Sequence, residues 1–205
     1  MKGIIFSESM YNQVINSSKT MTRRLIKPQP TGVRNSVFVK SGLEDSHGRE
    51  LKPRYLPGET VYLKEPYYVD IQETENTPAL VYYKYRYNDV YFLQETGLIK
   101  TLPVKWQNPR TMPERYARHF IEIVSVKAER LQDISDDDIR KELGKVLKEY
   151  RVNAGWTDRC CKIDGMPDIF YKLKQAFAAL WDSINPKNKW DTNPFIWCYE
   201  FRLIK

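Results

Sequence analysis

The chain has 205 residues, and its 33 Lys and Arg against 26 Asp and Glu give a net charge of +7. That length can bury a sizeable core in one domain, and the basic balance attracts polyanions without proving that they bind. The cysteines are an odd set with one vicinal pair (Cys160, Cys161, Cys198), no apolar run nears a membrane span, and Met1-Lys2 opens directly on an apolar strand; these features argue against a disulfide scaffold, a spanning helix and a signal peptide, and for a reducing cytoplasm.

Gly3 to Phe6 is a short apolar run and predicts a buried strand. Ser7 is a suitable N-cap for a helix from Glu8 to Asn16, with Met10, Val14 and Ile15 on its apolar face. Ser17 to Pro28 follows, a strand to about Lys27 that Pro28 and Pro30 end. Thr31 to Arg54 is polar and glycine-punctuated, a loop excursion around one strand at Ser36 to Lys40. Pro57-Gly58 is a turn before an alternating strand, Glu59 to Lys64, which Glu65-Pro66 closes. Asp70 to Pro78 is acidic and expected to be mobile. Leu80 to Tyr87 and Val90 to Leu93 predict strands around Asn88-Asp89. Thr111-Met112-Pro113-Glu114 has the spacing of a capping box.

Phe120 to Val126 is the strongest strand signal. Ser135 then caps a helix whose apolar residues Ile139, Leu143, Val146, Leu147 and Tyr150 share one face. Val152 to Met166 predicts a loop. A second helix is expected from about Asp168, with Phe170, Leu173, Phe177, Leu180, Trp181 and Ile184 buried, before a closing strand from Phe195 to Leu203. Trp106, Trp190 and Trp197 are expected in the core or at its closing edge. The mixture predicts an α+β fold.

Ser17 to Pro28 carries the chemistry. A Lys beside a hydroxyl can make a nucleophile without a metal, because the neutral amine takes the hydroxyl proton. Arg23 and Arg24 would disfavour the ammonium form and could hold a phosphate or a polarised carbonyl. The ordinary alternative is a solvated basic edge. In an extended strand Lys19 and Thr22 point to opposite faces, so they converge only if Lys19 sits in a turn or the end of the helix and the strand starts near Met21. Thr20, Thr22 and Arg24 would otherwise share a face, which makes Arg24 the expected site arginine and Arg23 the outward one. Tyr83 with Tyr85 and Tyr87, and Lys84 with Arg86, would form an aromatic and basic surface of the kind that stacks and steers single-stranded nucleic acid. Tyr is also simply a good strand residue. His47 and His119 are isolated, Cys160-Cys161 lacks spaced partners and no glycine-rich phosphate loop occurs, so neither a metal nor a cofactor is expected.

Lys19-Thr20-Met21-Thr22-Arg23-Arg24 resembles the K-T-x-T-x-R signature of ASCH domains, small members of the PUA-like β-barrel superfamily. Three longer stretches, Met21 to Pro30, Lys52 to Glu65 and Trp181 to Phe201, resemble the phage and prophage branch of that family. The resemblance implies a single domain over residues 1–205: a small PUA-like β-barrel with flanking helices and insertions near 31–54 and 68–100. In the bacterial ASCH enzymes that deacetylate N4-acetylcytidine, the Lys accepts a proton, the second Thr is the nucleophile and a helix Glu donates a proton. The matching residues are Lys19, Thr22 and Glu142, and Glu142 lies on the flank of the apolar stripe or, as the ordinary alternative, in solvent. The resemblance also implies an acid at Glu65 near the site, with a salt bridge to Arg23 or Arg24 as its structural alternative. The expected function is binding of RNA, a nucleotide or a modified nucleoside in a basic cleft that includes Thr20, Arg23, Arg24, Glu65, Tyr83, Lys84 and Arg86. An amidohydrolase using Lys19, Thr22 and Glu142 is the alternative, and a ribonuclease the third reading.

Overall fold

A computed structural model describes residues 1–33, 42–70, 80–84, 105–151 and 159–204 and shows an α+β protein. In chain order the elements are β1 (Lys2–Ile5), α1 (Glu8–Ile15), β2 (Met21–Leu25), β3 (Gly32–Val33), β4 (Leu43–Glu44), β5 (Thr60–Lys64), β6 (Tyr67–Asp70) and β7 (Leu80–Tyr83). They continue with β8 (Phe120–Arg130), α2 (Asp136–Leu143), β9 (Leu147–Arg151), β10 (Arg159–Ile163), β11 (Ile169–Phe170), α3 (Leu173–Ile184) and β12 (Phe195–Leu203). No helix among the described residues is long and apolar enough to cross a membrane. Nor do the strand pairings among them close a barrel.

The chain forms two compact units. The first comprises Met1–Asn12, Thr60–Ile121 and Ile204–Lys205. In it β1 runs parallel to β5, with Lys2 opposite Val61 and Ile5 opposite Lys64. β6 and β7 pair antiparallel, Tyr67 opposite Tyr83. Ile4, Val61, Leu63 and Ile121 are buried.

The second unit comprises Gln13–Glu59 and Glu122–Leu203. Here β12 lies between β8 and β2. It pairs antiparallel with β2 from Ile196 opposite Leu25 to Glu200 opposite Met21. β10 stands between β9 and β11 in a smaller sheet. Helix α2 buries Ile139 and Leu143, and α3 buries Leu173, Phe177 and Trp181 of its expected stripe, but Ile184, at the last position of α3, is exposed rather than buried.

Several expected elements are corrected. The helix after Ser135 does not reach Tyr150. It stops at Leu143 because Gly144 takes a positive φ of 56°, outside the helical region. Val146 remains buried, but Leu147 onward is β9, and its partner β10 occupies part of the expected Cys-containing loop. Thr111 caps nothing. Asn108 is the cap, accepting from the Arg110 N–H, and Pro109–Thr111 and Glu114–Tyr116 form single 3-10 turns. α3 begins at Leu173 rather than near Asp168, since Ile169–Phe170 joins β10 as an edge strand. The Tyr-rich strand ends at Tyr83, with Lys84 in a turn. The strands expected at Ser36 to Lys40 and Val90 to Leu93, and the expected surface at Tyr85 to Tyr87 with Arg86, lie outside the described residues, as does nearly all of Asp70 to Pro78.

Candidate functional site

In the second unit Ser17 takes a left-handed backbone, φ 59°. The Ser18 and Lys19 N–H groups both donate to the Gln13 carbonyl, at 2.9 and 3.0 Å. This turn delays β2 to Met21, which frees Lys19 from the alternation of the strand. Residues 19 and 20 then run along the C-terminal end of α2, where a helix leaves its last carbonyls without internal partners. The Thr20 N–H donates to Lys141 O at 3.0 Å, and the Lys19 ammonium donates to Glu142 O at 2.6 Å. Gly144 permits the close approach, since a Cβ there would lie 2.6 Å from Ser18 O.

Lys19 is only 3% exposed, and its Nζ lies 3.9 Å from Glu142 Oε1. Burial pushes its ammonium down to about 8; Glu142 opposes the fall, while Arg24 and Arg23 add to it. Such an amine is neutral in roughly a tenth of molecules at pH 7. Glu142 is buried with Ile139 and Leu143 on the inner side of α2, so it is not a solvated helix residue. Its Oε1 accepts the Arg23 backbone N–H at 2.9 Å, and its Oε2 accepts from Arg23 Nη1 at 2.8 Å.

Arg23 points inward, against expectation. Its side chain is 0% exposed, and Nη2 reaches Glu129 Oε1 at 2.8 Å and Asp138 Oδ2 at 3.0 Å. Nε also donates to Glu129, at 3.1 Å. With Nε, Nη1 and Nη2 all on carboxylates, Arg23 has no fork left for a ligand. Burial alone would lower its guanidinium, but Glu142 and the acids around it outweigh burial and raise it. Cys198, opposite Arg23 in β12, is pushed up to about 12 by burial against the pull of Arg23, and stays a thiol.

Thr22 and Arg24 face the other way, opposite Tyr199 and Trp197. Thr22 is 4% exposed. Its hydroxyl makes no hydrogen bond among the described residues, and no side-chain oxygen sealed from solvent there lacks a partner. Arg24 keeps exposed surface, yet protein crowding lowers its guanidinium, with Arg54 adding to the fall. Buried Tyr55 meets Tyr199 edge-on at 5.4 Å, and the Arg54 backbone N–H donates to Tyr199 Oη at 3.2 Å.

Thus the structure brings Lys19 and Glu142 together. Thr22 is linked to them only through the backbone, by the Arg23 N–H that Glu142 accepts, and its side chain lies on the other face of β2. Thr20 is half-buried and anchored by its backbone, its carbonyl accepting from Phe201 N–H at 2.9 Å. The sequence reading gave no site role to Arg54 and Tyr55. They lie far from Lys19 in the chain, and no spacing could have joined them to it.

Glu65, Tyr83 and Lys84 belong to the first unit and form a different arrangement. Glu65 is fully buried, accepting from Arg118 Nε at 2.9 Å, Arg118 Nη2 at 2.7 Å and Tyr11 Oη at 2.6 Å. Its salt bridge is to Arg118, not to Arg23 or Arg24. The carboxylate is held as an anchor and offers nothing to a ligand, which corrects its expected place in a binding cleft. Tyr11 is raised by burial and then by the Glu65 charge. Tyr83 is capped by the Arg118 guanidinium, 4.3 Å from the ring centre, and donates to Tyr116 O at 2.9 Å. The expected stacking platform is already occupied on that face. Lys84 is exposed.

A separate pocket of about 330 Å³ in the second unit is lined by Cys160, Cys161, Asp136 and the start of α3. Arg140 and Glu149, also in its wall, pair at 2.8 Å. Among the described residues no group of three or more His, Cys, Asp or Glu is placed to hold a metal ion. Comparison with protein-family models, curated proteins and solved structures gives no match to this chain.

Proposed function

We propose that the chain is an ASCH-type, PUA-like protein of the cytoplasm that takes an acylated nucleoside against the Thr22 face of β2 and hydrolyses its amide. One observation carries the reading: a buried amine lowered to about 8 sits in the turn just ahead of the strand that carries Thr22. Thr22 Oγ1 attacks the amide carbonyl as Lys19 Nζ takes its proton, which forms an acyl-threonine after the C–N bond breaks. The leaving amine takes a proton from the Lys19 ammonium. Water then cleaves the ester, releasing the carboxylic acid and restoring Thr22. The resemblance gives the donor role to Glu142. Here both oxygens of Glu142 accept from Arg23, so Lys19 is the better placed donor and Glu142 its positioning residue.

The test is incubation with N4-acetylcytidine, following cytidine and acetate. Turnover should appear in the native protein and vanish in Lys19→Ala and Thr22→Ala. Turnover that survives both changes refutes the assignment.

A second reading, binding of RNA or a nucleotide without turnover, is favoured by the engagement of Glu142 with Arg23 and by the net charge of +7. It expects steeply salt-dependent binding and no release of acetate.

A further inference from the structure

The cavity of about 330 Å³ in the second unit takes no part in the Lys19 arrangement. Small-molecule sites span roughly 300–1,000 Å³, so it can hold a small ligand. Three elements wall it: α2, the β9–β10 pair and the head of α3. Cys161 stands opposite Glu149 in the β9–β10 register, so both side chains leave the sheet on one face. Cys161 is 3% exposed, and its free thiol makes no hydrogen bond among the described residues. Burial raises that thiol, with Glu149, Cys160 and Asp136 adding to the rise, so it lines the cavity protonated and able to donate weakly. A polar group buried without a partner marks a place where a ligand can supply one.

The charged wall divides in two. Arg140 and Glu149 answer each other at 2.8 Å, and Arg140 also donates to Asp137 at 3.1 Å. The Asp136 carboxylate on α2 and the Lys172 ammonium at the head of α3 are exposed and make no ion pair or hydrogen bond among the described residues. They line one cavity and yet do not meet. The head of α3 adds to the positive side: Lys172 is an N-cap without a side-chain bond, and no acid lies in the first turn. The Leu173 and Lys174 N–H groups find no acceptor among the described residues. The Lys174 ammonium donates to Gln132 O at 3.2 Å and keeps its charge.

A simple anion drawn to α3 would meet Asp136, and a simple cation drawn to Asp136 would meet Lys172, Lys174 and the helix end. A molecule carrying one charge of each sign answers both. Two neighbouring N–H groups beside an ammonium suit the paired oxygens of a carboxylate.

We propose that this cavity binds a free α-amino acid. Its carboxylate lies on the Leu173 and Lys174 N–H groups and the Lys172 ammonium, its own ammonium on Asp136, and its side chain against the Cys161 thiol. Lys19, Thr22 and Glu142 take no part, so the site stands or falls apart from the proposed hydrolysis.

Calorimetry on the native protein, with each standard α-amino acid added singly at neutral pH, is the test. At least one should bind with a Kd of about 1 mM or tighter. Its N-acetyl derivative, which lacks the cation, and its carboxamide, which lacks the anion, should each bind about tenfold or more weakly. Asp136→Asn should weaken the amino acid by about tenfold and leave the N-acetyl derivative unchanged. Lys172→Gln should weaken the amino acid and leave the carboxamide unchanged. Both positions are exposed, so both variants should match the native protein by circular dichroism. No binding by any amino acid at about 10 mM overturns the proposal, as do derivatives that bind as tightly as their parent. Binding that neither variant changes lies elsewhere and overturns the assignment. Inorganic phosphate that displaces the amino acid and still binds Asp136→Asn equally well would make this a plain anion site, which also overturns it.

Discussion

Replacing Arg23 should damage the fold far more than replacing Arg24, although the two are neighbours with the same charge. Arg23→Ala deletes a guanidinium with a 0% exposed side chain and leaves three acids facing one another: Glu142, Glu129 and Asp138, formerly at 2.8, 2.8 and 3.0 Å from it. Lys127, at 2.8 Å from Glu129 and 3.7 Å from Asp138, is a half-exposed cation and cannot replace it. Breaking a buried ion pair by removing one partner costs about 3–5 kcal/mol. For a chain of this size each kcal/mol lowers the melting temperature by roughly 2–4 °C, so the fall should be roughly 6–20 °C. Arg24→Gln removes an exposed cation and should cost about 1 kcal/mol or less. Calorimetric melting of both variants beside the native protein makes the comparison. Equal losses, or a greater loss for Arg24→Gln, would refute the assignment of the two arginines to opposite faces.

Three further outcomes are expected. The folded-state pKa of Lys19, about 8, lies below its ordinary value of 10.5, so the unfolded chain binds more protons between these values and stability should rise with pH across that window. The rise should be about 3 kcal/mol at most and should be missing in Lys19→Met; native and variant urea midpoints that run parallel from pH 8 to 10.5 would exclude it. Gly144→Ala should lose about 1–3 kcal/mol, because its φ of 56° strains any other residue and its Cβ would press on Ser18 O at 2.6 Å. Turnover should fall with it as the Lys19 turn is displaced, and full activity at native stability would count against that coupling. Arg118→Ala should cost about 3–5 kcal/mol by leaving Glu65 buried and unpaired, yet leave nucleoside affinity unchanged. Weakened binding in a variant still folded by circular dichroism would return Glu65 to the site.

What the sequence showed and what it hid follow one rule. Periodic apolar positions reported faces correctly: the stripe of α2 through Ile139 and Leu143, and the closing strand Phe195–Leu203. Periodicity could not report where a helix stops, because Val146 stays buried after the helix has ended at Gly144. A positive-φ glycine was the available signal, and it was outweighed by the stripe running past it. The turn ahead of β2 was legible from Ser17-Ser18, and with it the release of Lys19. The orientation of the arginine pair was not. Alternation correctly separated Arg23 from Arg24, but which face was the interior depended on Glu129 and Asp138, more than 100 residues away in the sequence. The same limit hid Arg118 as the partner of Glu65.

Placing Arg23 inside rather than outside changes the chemistry expected of Lys19. An acid 3.9 Å from a buried ammonium would ordinarily hold it charged, and a charged Lys19 cannot take a proton from Thr22. Glu142 does this only in part: it opposes the fall of the Lys19 pKa, but Arg23 engages both its oxygens. Arg23 therefore serves the amine indirectly: by engaging Glu142 and adding its own positive charge, it lets burial prevail. Arg23→Met should release Glu142 to pair with Lys19 and remove one repelling charge, and both changes raise the Lys19 pKa. The pH–rate profile for N4-acetylcytidine, expected in the native protein to rise with an inflection near pH 8 to a plateau above it, should then shift its inflection to higher pH. The plateau rate should be little changed. A variant that is folded but loses rate equally at every pH would mean that Arg23 positions the backbone of Thr22 and does not tune the amine.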